Sequence, residues 1–93
     1  MKTVTIQIGN SDDKLTQSEW SQYCDEVRDF VNRIADEVHF EGYAPSDSKW
    51  QNAAFVCVIS DEQVLKLRGG VSNIRMAYRQ DSVAWTEGVT QFI

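Results

Sequence analysis

The chain has 93 residues, with fourteen Asp or Glu against nine Lys or Arg and a net charge of −5. Nucleic-acid binding needs clustered cations to neutralise phosphate. Arg68, Arg75 and Arg79 are the nearest approach to a cluster, so nucleic acid is excluded as a partner. No apolar run approaches the ~20 residues that span a bilayer, and Met1–Gly9 alternates apolar with polar residues instead of forming a leader. We therefore expect a cytoplasmic protein of one domain, residues 1–93, with no membrane partner.

Strand one is expected over Lys2–Ile8, where Val4, Ile6 and Ile8 share one face and Thr3, Thr5 and Gln7 the other. Gly9-Asn10-Ser11-Asp12-Asp13 supplies turn residues that end it. Helix one opens on a capping box, Thr16 to Glu19, and continues as an apolar stripe of Trp20, Tyr23, Val27, Phe30 or Val31, and Ile34. Strand two, Val38–Tyr43, places Val38 and Phe40 on one face and His39, Glu41 and Tyr43 on the other. Residues Ala44 to Ser48 make the hairpin loop, with Pro45 removing a backbone donor.

Strand three, Trp50–Ile59, is apolar on both faces, the mark of a central strand covered on both sides. Helix two is expected from Ser60, with Gln63 completing a second capping box. Its stripe of Val64, Leu67, Val71, Ile74 and Tyr78 stays in phase through Gly69-Gly70, which predicts one helix with a weak middle. Ser82–Thr86 is strand four, with Val83 and Trp85 on one side. An extended tail over Gly88–Ile93 is expected to close the core edge with Phe92 and Ile93.

The order strand, helix, strand, strand, helix, strand is the split βαβ pattern of the ferredoxin-like class. It predicts an α+β domain with a four-stranded antiparallel sheet and both helices on one face. In that topology the loop after strand one, the hairpin after strand two and the loop before strand four share one end. That end gathers Asn10, Ser11, Asp12 and Asp13, then Tyr43, Ser46, Asp47, Trp50, Gln51 and Asn52, then Arg79, Gln80, Asp81 and Ser82. Loops held by a rigid sheet commonly carry binding groups, so these residues are the candidate site. Turn chemistry alone accounts for Asn10 to Asp13. Arg79 has the stronger case, since it can form a bidentate pair with Asp12, Asp13 or a ligand carboxylate or phosphate.

Metal and catalytic chemistry find little footing. Asp12, Asp13, Asp47 and Asp81 are hard oxygen ligands but lack the spacing of a calcium loop. Cys24, Cys57 and the lone His39 do not make a zinc site, and the two thiols read as small buried hydrophobes rather than a disulfide. No nucleophile elbow or glycine-rich phosphate loop is present, so we expect a non-enzyme with no cofactor. The outer sheet face carries threonines where an RNA-binding sheet carries aromatics. Small apolar and hydroxyl side chains there suit a second sheet, which points to a homodimer.

The strings Gln7-Ile8-Gly9-Asn10-Ser11-Asp12-Asp13-Lys14-Leu15-Thr16 with Trp20, and Tyr78-Arg79-Gln80-Asp81-Ser82-Val83-Ala84-Trp85, resemble those of small acidic proteins of actinobacteria, their phages and mobile elements. The resemblance covers most of the chain. It implies a setting, an accessory gene of a phage or plasmid in the host cytoplasm, and transfers no activity. It carries over no site residue. Independently of it, we expect a protein that acts by binding a host or defence protein, or itself. The alternative is a small-ligand or nucleotide domain, with Arg79 on an anion and Trp50 or Tyr43 stacking.

Overall fold

The computed structural model describes residues 1–45 and 47–93; Ser46, in the expected hairpin loop, lies outside the described residues. Its elements are β1 (Lys2–Gly9), α1 (Gln17–Ile34), β2 (Glu37–Tyr43), β3 (Asn52–Ile59), α2 (Val64–Ala77) and β4 (Ala84–Gly88), with short 3-10 turns at Ser11–Asp13 and Asp61–Gln63. The four strands form one antiparallel sheet in the order β2-β3-β1-β4. This is the ferredoxin-like arrangement the hydrophobic pattern predicts.

Alternation decides which side chains meet the helices. Val4, Ile6 and Ile8 of β1 and Ala53, Phe55, Cys57 and Ile59 of β3 are buried under Tyr23, Val27 and Val31 of α1 and Leu67 and Val71 of α2. Each such side chain contributes about 1.5–3 kcal/mol on leaving water. Burial pushes the Cys24 thiol up to about 12 and also raises Cys57, and both cysteines are free. Tyr23 stacks on Tyr78 with ring centroids 5.0 Å apart, and Trp20 meets its edge at 6.1 Å. Both stripes pack into this one buried cluster, so α1 and α2 lie on the same side of the sheet.

The helix ends show how local signals were used. The capping box of α1 forms as expected: Glu19 N–H donates to Thr16 Oγ1 at 3.1 Å, and Thr16 N–H donates to Glu19 Oε1 at 3.0 Å. The second expected box does not form. Ser60 makes no side-chain cap bond; Gln63 N–H takes the Ser60 carbonyl at 3.0 Å instead, and a 3-10 turn precedes α2. Helix α2 runs unbroken through Gly69-Gly70. A Cβ on Gly69 would meet nothing within 4 Å, whereas one on Gly70 would stand 2.1 Å from Phe30 Cζ. The choice left open between Phe30 and Val31 resolves accordingly: Val31 enters the core, and half-buried Phe30 lies on Gly70.

Four expectations need correction. A register shift between Val38 and Phe40 places a bulge at His39, so Val38 pairs with core-facing Cys57 while Phe40 pairs with Val56 on the opposite face. Phe40 is thus 54% exposed, its ring lying against Gly42. Strand β3 begins at Asn52, because Trp50 and Gln51 belong to the hairpin loop. Strand β4 starts two residues late and reaches Gly88, where Thr3 pairs with it. Phe92 and Ile93 do not close the core edge. The segment 89–93 passes over the helix-free face instead, with Thr90 Oγ1 2.6 Å from Thr3 Oγ1 and the Phe92 ring 6.4 Å from that of His39.

Candidate functional site

The topology brings the two distant loops together, as the order of elements requires. Ser11 N–H donates to Gln80 Oε1 at 2.8 Å, and Lys14 Nζ pairs with Asp81 Oδ1 at 3.1 Å. Asn10 bridges to the hairpin, donating through Nδ2 to Gln51 Oε1 at 2.9 Å. The same amide closes on Leu15, accepting from its N–H at 2.9 Å and donating to its carbonyl at 3.1 Å. Asn10 and Gln80 are only 6% and 3% exposed. Buried amides with both ends paired fix loops, so these two hold the end together.

Arg79 sits where α2 stops. Gln80 N–H donates to the Arg75 carbonyl at 3.1 Å and Arg79 N–H to the Met76 carbonyl at 3.0 Å, the paired bonds of a Schellman ending. That ending puts Arg79 at φ 58°, where glycine is the usual occupant. The Arg79 side chain reaches neither Asp12 nor Asp13. Its Nη2 donates to Glu19 Oε2 at 2.9 Å, and this bond, with the Thr16 amide, holds the Glu19 carboxyl below the ordinary carboxylate value. Arg75 supports the same turn by donating to the carbonyls of Gln80 and Asp81 at 3.0 and 3.2 Å.

The remaining candidates divide. Asp12 and Asp13 stand exposed in left-handed conformations at φ 52° and 54°. Ser82 is exposed and makes no side-chain hydrogen bond among the described residues. The aspartate set Asp12, Asp13, Asp47 and Asp81 does not assemble; among the described residues no three His, Cys, Asp or Glu side chains gather as metal ligands. Tyr43, Trp50, Gln51 and Asn52 line a cleft of about 330 Å³ beside the start of α1. Gln51 Nε2 donates to Gln17 Oε1 at 2.7 Å on its floor, and Lys49 Nζ lies 5.0 Å from the Trp50 ring centre.

Sequence reasoning missed Gln17, Glu19 and Trp20 as members of this end. Their position in the first turn of α1 was the available signal, since that turn follows the loop after β1 directly. A second surface is the helix-free face. Thr3, Thr5, Ala54, Val56 and Val58 are half-buried there, and Phe40 and His39 stand at its β2 side. His39 Nε2 lies 3.6 Å from Glu37 Oε2, and Glu37, Val38, His39, Val58 and Phe92 enclose a shallow hollow.

A sheet with helices on one face and an apolar row on the other defines the general class, a ferredoxin-like α+β protein with an unpaired sheet face. Among solved structures, the chain is similar to a dimeric ferredoxin-like protein of unknown function from Thermobifida fusca. The two share 9% identity over 97% of this chain and 92% of that one, with a TM-score of 0.63. No protein-family model matches the sequence. No curated protein matches it either.

Proposed function

We propose that the protein acts by binding, without catalysis, as a homodimer joined through the helix-free sheet faces, and that it engages a host-cell protein through its polar loop end. The apolar row Ala54, Val56 and Val58, covered by neither helix, carries this reading. A β-strand apolar on both faces is ordinarily covered on both. A second sheet packing about 10 Å away supplies the missing layer. The dimeric state printed for the Thermobifida fusca structure supports the same arrangement. The resemblance of the Gln7–Thr16 and Tyr78–Trp85 strings to accessory proteins of phages and mobile elements supports the host setting.

Sedimentation of the full chain tests the assembly. Val56→Glu with Val58→Glu should yield a folded monomer, because the pair of charges would be trapped between two sheets. A wild-type chain that stays monomeric through the micromolar range overturns the reading. In the dimer the loop end remains free, and Trp50→Ala is expected to lose the host protein without changing assembly.

One observation favours a second reading, the cleft between Trp20, Tyr43 and Trp50. Its polar groups include the amides of Gln17, Gln51 and Asn52 and the Ser48 hydroxyl, with the Lys49 ammonium beside the Trp50 ring, a lining that suits a flat ring with polar edges. Arg79 is engaged by Glu19 and gives no anion contact in this arrangement. A rise in melting temperature with nucleosides, absent in Trp50→Ala, would favour it.

A further inference from the structure

Segment 89–93 lies on the face assigned above to a second copy, yet it buries little there. Val89 is 82% and Phe92 85% exposed, and Ile93 is fully exposed. The contacts holding it down are the Thr90–Thr3 hydroxyl pair and the neighbourhood of Phe92 with His39 and Val58. All of these belong to one end of the face, where Thr3, Gly88, Val58 and Glu37 stand side by side. The opposite end, with Gln7, Ala54, Gly42 and Ala84, is left uncovered by the segment.

We infer that segment 89–93 is an arm of the dimer interface, its Val89, Phe92 and Ile93 side chains buried by the second copy. This rests on the sheet-face dimer proposed above. Area is the first reason. Four strands about 4.8 Å apart and roughly seven residues long outline a flat footprint of only ~440 Å², a small platform for an interface that buries about 800 Å² of accessible surface on each partner. One buried aromatic side chain adds about 150–250 Å² of accessible surface, so Phe92 with two aliphatic neighbours would enlarge the contact substantially.

Geometry is the second reason. Facing sheets leave a gap of about 10 Å, too narrow for two arms at the same place. A two-fold axis parallel to the strands would stack both arms at one end and is excluded on that ground. An axis in the interface and perpendicular to the strands reverses strand direction between copies. Each arm then lies over the uncovered end of the other sheet, against Gln7, Ala54 and Phe40. The contact is self-complementary and closes on itself.

The test replaces Val89→Ser, Phe92→Ser and Ile93→Ser together in the full chain and measures the dimer dissociation constant by sedimentation. A rise of at least tenfold is expected, with circular dichroism unchanged because the three side chains are exposed in each copy. Leu65→Ser, which alters a side chain equally exposed on α2, should leave the constant unchanged. An unchanged or smaller constant in the triple variant overturns the arm while leaving the sheet-face dimer standing. Persistence of the dimer in Val56→Glu with Val58→Glu overturns the dimer reading itself, and the arm with it.

Discussion

Arg79 adopts a backbone conformation that an L-residue enters at a cost of about 1–2 kcal/mol, because its Cβ crowds the following carbonyl. Glycine ends helices of this kind without that cost. The Arg79 side chain offers in return only an exposed ion pair with Glu19, and such pairs stabilise little. Arg79→Gly is therefore expected to raise the unfolding free energy by about 1 kcal/mol, read by urea denaturation. Arg79→Ala keeps the strained backbone, loses the pair and should fall below the wild type. If both variants lose stability equally, the strain is not what distinguishes this position. Strained residues retained against such a gain are common at binding surfaces, which fits the proposal that the loop end binds a partner.

At the scale of elements, the two adjacent glycines of α2 separate cleanly. Gly69 faces open space, so Gly69→Ala removes unfolded-chain freedom and should stabilise by about 0.4–1 kcal/mol. Gly70 is covered by the Phe30 ring, whose tip would lie 2.1 Å from a new Cβ. Gly70→Ala should cost about 1–3 kcal/mol through displaced packing, and Phe30→Ala should erase that difference in a double-mutant cycle. The sequence supports a continuous helix here, since the apolar stripe keeps phase across both glycines. It holds no mark of the contact, because Phe30 lies forty residues away on α1 and a glycine looks the same whether crowded or free. The cap of α2 illustrates the same limit. Ser60 and Gln63 have the right spacing, but a backbone bond between them took the place of the side-chain pair.

Across the whole molecule, strand order was legible because strand one alternates, strand three is apolar on both faces as a central strand is, and each helix keeps one stripe. The meeting of the Asn10–Lys14 and Arg79–Ser82 loops followed from that order alone. The partners within it did not: Asp12 and Glu19 were equally available to Arg79 as letters, and only the path of α1 brings Glu19 alongside. The same ion pair ties the start of α1 to the end of α2 and makes stability sensitive to acid. Glu19 has a folded pKa below its ordinary 4.5, so its contribution is fully present above that value and is lost as pH falls through the folded one. Glu19→Gln retains a capping-box residue and removes only the charge. It should be less stable than wild type at neutral pH, with the difference shrinking as pH falls through the folded pKa of Glu19. A gap that persists in acid would assign the loss to the cap instead.

The bulge at His39 has a consequence for what the protein avoids becoming. Strand β2 is an edge of the sheet, and its outward row of amides and carbonyls is a template on which a stray strand can grow. An extra residue between Val38 and Phe40 twists that row and breaks its spacing. Deleting His39 would straighten the edge while leaving Val38 opposite Cys57 and Phe40 opposite Val56, now in an unbroken ladder. The expected product is a chain that adds neighbours side by side into insoluble fibres, so the irregular residue guards solubility along the margin of the sheet.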